Sequence, residues 1–223
     1  MSIESKTKPT KRMPISNLNE RYLTLLRHIT SLDSFACEDE SRVLGITSSL
    51  SGEGTSTVAT NIALTVAGLS DGPVLLVDAN NDRPSLHKAF GMKNTIGFQN
   101  ALTGSLSPLE CVTASPFEGL SLAFSGKLTG AAVPLYSNSS ISELLVEWRD
   151  AFRWVVFDLP PANNVTIATL LASRMDGVLM VVEADRVDRK IAERTSARLR
   201  RASANLLGVV YNKVPKRADD LLW

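Results

Sequence analysis

The sequence predicts an α/β fold with a mostly parallel sheet and helices on both faces, on three observations. Short apolar runs, such as residues 178–182 and 206–211, are strand-sized and show no polar alternation; strands buried on both faces read this way. Between them lie stretches whose apolar residues recur at spacings of three and four, the helical period. Finally, 223 residues at 44% hydrophobic and 21% charged can build the core of one ordinary domain, which excludes a disordered chain.

Taken in order, residues 1–15 read as a flexible basic tail carrying Lys6, Lys8, Lys11 and Arg12. The same four cations also suit an anionic membrane surface. No apolar segment follows the charges, so this is not read as a secretory signal. Residues 16–40 are a helix and linker. Leu18, Tyr22, Leu25, Leu26 and Ile29 place an apolar face on a helix over 18–29, with Leu23 widening it. The domain proper spans 41–217. It opens with a strand at 43–47, then a helix at 57–67 with Val58, Ala59, Ile62, Ala63, Val66 and Ala67 on one face. Strands follow at 74–77, 120–124, 154–157, 177–182 and 207–211. Helices at 141–152, 165–173 and 188–204 separate the later ones. Residues 91–140, rich in Gly, Ser and Pro, yield only the one strand, and 218–223 form a short tail.

Charge and composition exclude several functions. Lys and Arg total 24 against 23 acids, so no global field points to nucleic acid. Cys37 and Cys111 lie far apart, and His28 and His87 are the only histidines; neither a disulfide framework nor a Cys/His zinc site fits. No apolar stretch approaches the roughly 20 residues of a membrane span. A cytoplasmic location is expected.

Ligands of parallel sheets bind at the carboxyl ends of the strands. There the first strand runs into Ser49-Leu50-Ser51-Gly52-Glu53-Gly54-Thr55-Ser56-Thr57 and on into a helix. Two glycines in a turn at a helix N-terminus expose backbone N–H groups to an anion. Two further strands end in Asp78 and Asp158, placed to hold Mg²⁺ together with Ser56. The order strand, loop, helix with two acidic strand ends predicts a phosphate site. However, the strict pattern GxxxxGK[ST] has Ser49 at its first glycine and Thr55 at its lysine. That lysine follows the charge developing in phosphoryl transfer. Losing one such donor typically costs about 10²–10³ in rate.

The stretch VLGITSSLSGEGTSTVATNIA resembles the ATP site of bacterial tyrosine kinases, the cytoplasmic modules of capsule and exopolysaccharide export systems. VLLVDANNDRPSLHKAFG is similar to their second motif, WVVFDLPP to their Walker B strand, and DGVLMVV with LLGVVYNKVP to their last two strands. The resemblance covers residues 14–30 and 42–215 and implies a single P-loop NTPase-like domain of the deviant-Walker type. It also implies ATP or ADP with Mg²⁺ as ligand, contacted by Gly52, Glu53, Gly54, Thr55, Ser56 and Thr57, with Asn212 at the adenine. Asp78 and Asp158 would be the catalytic acids and, with Ser56, the metal ligands. A chain-length-determinant inner-membrane protein is the implied partner, recruiting the chain to that membrane, besides self-association or an active kinase paralogue.

The departures define a degenerate member. Thr55 replaces the lysine, Ser51 a proline, Asn80 and Asp82 the second acid and the arginine of the second motif, and Leu159 a threonine. In the family's ExxRxxR helix Glu20 stays while Leu23 and Leu26 replace both arginines. No tyrosine cluster follows Tyr211. Weak or absent nucleotide binding and a catalytically impaired, kinase-like subunit are expected. A working kinase or ATPase using another charge is the alternative, with Lys127 as one source. A partition-type ATPase is a third reading, weakened by Leu50 where those relatives carry a lysine. Gly68-Leu69-Ser70-Asp71-Gly72 matches GxSxG but joins a helix to a strand, the reverse of a nucleophile elbow. Arg189, Lys190, Arg194, Arg198, Arg200 and Arg201 read as a solvated helix face before a docking surface. His87 is read as packing beside Pro84.

Overall fold

The computed structural model describes residues 20–33, 35, 41–127, 138–163 and 166–215. The expectations for the tails 1–15 and 218–223, and for Leu18 and Cys37, lie outside them. In chain order the elements are α1 (Glu20–Thr30), β1 (Arg42–Ser48), α2 (Thr55–Leu69), β2 (Val74–Asp78), α3 (Leu86–Ala89) and α4 (Phe98–Leu102). After a 3-10 turn at Leu109–Cys111 come β3 (Thr113–Ala114), β4 (Leu120–Ala123), α5 (Asn138–Ala151), β5 (Trp154–Asp158) and α6 (Thr166–Ala172). The chain closes with β6 (Gly177–Glu183), α7 (Arg189–Arg201) and β7 (Leu206–Asn212).

One sheet runs β3-β4-β2-β5-β1-β6-β7, parallel except for β3, which pairs antiparallel with β4. Alternate residues of each strand enter opposite layers, as the two-residue period requires. Val43, Leu75, Val155, Phe157 and Met180 face α4 to α7, where Phe98, Trp148, Leu171 and Leu199 are buried. Leu44, Ile46, Leu76, Val156 and Val181 face α2 and α1, meeting Val58, Ile62, Val66, Leu26 and Ile29. The rings of Phe98, Trp148 and Phe157 lie 5.9–6.4 Å apart, and Trp148 Nε1 donates to the Pro108 carbonyl at 3.1 Å. A buried indole thus keeps its one donor satisfied.

The apolar face of α1 packs within the chain. Leu26 and Ile29 are buried there, with Tyr22 and Leu25 half-buried beside them. The 68–72 segment is the α2–β2 turn, with Ser70 Oγ accepting the Gly72 amide. Cys111 is a buried free thiol, pushed up to about 11 chiefly by burial. Among the described residues no helix is long and apolar enough to cross a membrane.

Candidate functional site

β1 ends at the carboxyl edge of the sheet and the chain turns through residues 49–54 into α2. The turn needs positive φ at Gly52 (+89°) and Gly54 (+94°), the latter being the N-cap of α2. Across this turn and into the first turn of α2, the amides of Gly52 to Ser56 find no acceptor among the described residues. Five consecutive unpaired donors at the head of a 15-residue helix form an anion cradle.

The back of the loop is tied down. Arg186 Nη2 donates to the Ser51 carbonyl at 3.1 Å, Lys213 Nζ to that of Gly52 at 2.7 Å, and Asn212 Nδ2 to that of Glu53 at 2.8 Å. Glu183 Oε2 joins the two cations, at 2.7 Å from Arg186 and 3.1 Å from Lys213. Those hydrogen bonds, Arg186 first, hold its carboxyl below the usual range. In a trans peptide the N–H points opposite to the C=O, so anchoring three carbonyls behind the loop sends their N–H groups forward. Glu53 is itself buried, and its Oε2 accepts the Ser49 and Leu50 amides at 2.7 and 3.1 Å. The side chains of Glu53 and Asn212, expected at the nucleotide, are therefore engaged with the loop. Gly54 packs so closely that a Cβ there would collide with the Asn212 amide. Gly54→Ala, strained in φ and in this contact, is expected to destabilise the fold by about 1–3 kcal/mol, read as a lower urea midpoint.

Asp78 and Asp158 end neighbouring strands in matched register, and both are fully buried. Their environments differ. Asp78 Oδ2 accepts the Ser85 and Leu86 amides at 3.0 Å each, and Oδ1 that of Asn80 at 3.2 Å. Burial raises its carboxyl, and these amides oppose the rise. It pins the β2–α3 loop. Neither Asp158 oxygen has a partner in hydrogen-bonding geometry among the described residues, although the Ser56 hydroxyl lies close by. Burial pushes this carboxyl up to about 8, the Ser56 hydroxyl opposes, and the Asp78 charge adds to the rise. An orphaned buried carboxylate beside a helix-head serine suits a cation. No cluster of three His, Cys, Asp or Glu able to hold a metal exists among the described residues, so Mg²⁺ here would need ligand phosphates as well.

Thr55 and Ser56 are half-buried at the head of α2, and Thr57 is exposed. Lys127 stands at a different opening, a cleft it lines with Arg83, Lys88 and Lys93. His87 packs edge-on against Phe124, centroids 6.5 Å apart. Sequence reasoning missed the roles of Glu183, Arg186 and Lys213 at the loop. Only their position at or just past the ends of β6 and β7, where parallel sheets gather ligands, could have flagged them.

Residues 40–217 match the ParA family model, described as NUBPL iron-transfer P-loop NTPase. The chain is 31% identical over 208 residues to tyrosine-protein kinase YwqD of Bacillus subtilis (strain 168), covering 92% of this chain and 86% of that one. It is also 31% identical over 178 residues to tyrosine-protein kinase CpsD of Streptococcus agalactiae, covering 78% and 76%. Among solved structures, the chimerical protein CapA2B2 superposes with a TM-score of 0.78 at 26% identity, over 88% of this chain and 85% of that one.

Proposed function

Because the chain belongs to the bacterial tyrosine-kinase family, within the ParA-type P-loop NTPases, we propose that it is a catalytically impaired, kinase-like subunit of a capsule or exopolysaccharide system. The observation that carries this reading is Thr55 at the head of an otherwise complete cradle. The amides bind and orient phosphate, but no side chain at that position follows the charge that develops on transfer. Ser56 and Asp158 would hold Mg²⁺, which would neutralise phosphate charge; without nucleotide, Asp158 keeps its proton near neutral pH. Nucleotide binding is accordingly weak or absent.

Regulation would then run through contacts. A chain-length-determinant inner-membrane protein is the proposed partner, drawing the chain to the membrane, alongside self-association or an active kinase paralogue. The arginines that relatives place on the first helix are Leu23 and Leu26 here, and Leu26 is buried within the chain, so the charges of a polar ring are missing from this helix. A working kinase is the second reading, favoured by the three cations at the loop: Arg186, Lys213, and Arg83, whose Nη1 donates to Ser51 Oγ at 3.1 Å.

Incubation with Mg²⁺ and ATP separates the two readings. The expected result is no phosphotyrosine by mass spectrometry, although Tyr211 is 69% exposed. Phosphotyrosine that forms in the parent with Mg²⁺ and ATP and is absent when either is withheld would establish the second reading.

A further inference from the structure

Beside the cradle, the segments following β2 and β4 enclose an open cleft of about 830 Å³. Its lining includes Arg83, Lys88, Lys93 and Lys127, all exposed, against one acid, Asp82. None of the three lysines has an ion-pair or hydrogen-bond partner for its side chain among the described residues. Elsewhere cations are spent on acids, as in Arg149–Asp176 at 2.7 Å and Arg189–Glu193 at 2.7 Å. Pro84 and Met92 add an apolar side.

We propose that this cleft binds a phosphomonoester carried on a peptide, with phosphotyrosine the residue that fits. A dianion answers several unpaired cations at once, while the apolar side takes an aromatic ring. None of residues 49–57 lines the cleft, and Arg83, which donates to Ser51 Oγ, stands between it and the cradle. The choice of phosphotyrosine rests on the reading above, in which this chain works beside an active tyrosine kinase; it would then read what that kinase writes.

The test is fluorescence anisotropy with a labelled peptide of three phosphotyrosines spaced by glycine and serine, and its unphosphorylated twin. The phosphopeptide is expected to bind at least about tenfold more tightly than the twin and to weaken as salt rises. The triple variant Lys88→Gln, Lys93→Gln, Lys127→Gln should lose about tenfold in affinity, as three exposed charge contacts imply. Lys190→Gln, Arg194→Gln, Arg201→Gln on α7 makes the same charge change elsewhere and should leave binding intact, as should Ser56→Ala in the cradle. Equal binding of both peptides, equal loss in the α7 triple variant, or loss in Ser56→Ala would overturn the assignment. So would inorganic phosphate competing at the concentration of the phosphopeptide, since the cleft would then read a free ion. ATP-dependent tyrosine phosphorylation by this chain would sink the reading of impaired function while leaving these binding outcomes untouched.

Discussion

Thr55→Lys is expected to raise affinity for Mg²⁺-ATP by about tenfold to a hundredfold. A hydrogen bond to a charged group contributes about 1.5–3 kcal/mol net, and each 1.4 kcal/mol is about a factor of ten. Everything else the lysine would act with is in place: unpaired amides from Gly52 to Ser56, the two glycines in their left-handed turn, and Asp158. Titration calorimetry on parent and variant reads the difference directly. Unchanged affinity would mean that another cation already occupies the role, and would return Arg186 or Lys213 to consideration as phosphate ligands.

Without nucleotide, the folded protein should lose stability as pH rises, and Asp158→Asn should remove much of that loss. The Asp158 carboxyl moves from 3.8 to about 8 on folding, principally through burial. The folded state therefore holds a proton that the unfolded chain releases. That contribution is complete below about pH 4, declines as pH climbs, and is gone above about pH 8, with a slope of up to about 1.4 kcal/mol per pH unit. Asparagine keeps the shape and stays neutral, so its curve should be flatter through this window. Urea midpoints from about pH 5 to about pH 9 test the sign. Parallel curves for parent and variant would refute it.

The central strands were legible as largely apolar runs, the pattern of a sheet covered on both faces; β7 reads the same way yet lies at the sheet edge with Val209 and Tyr211 exposed. Asp78 and Asp158 were legible for the same reason, as the first charges after such runs. Residues 86–114 were not: α3, α4 and the 3-10 turn have 4, 5 and 3 residues, too few to establish a period. Gly52 and Gly54 announced the turn through composition alone. Its anchors did not announce themselves, because Arg186 and Lys213 reach it across 135 and 161 residues of sequence. The same holds for the basic cleft, where Lys127 meets Arg83 only because β4 pairs with β2.

Glycine loops are ordinarily the most mobile parts of a binding site, and a ligand must freeze them as it arrives. Here three side chains at or just past the ends of β6 and β7 already hold three successive carbonyls. The loop can open only by letting go of the sheet's far edge, so its fluctuations belong to that edge and not to the loop alone. A chain built this way keeps the shape of its cradle whether or not anything is ever bound there. The shape of the loop thus does not depend on which residue stands at position 55.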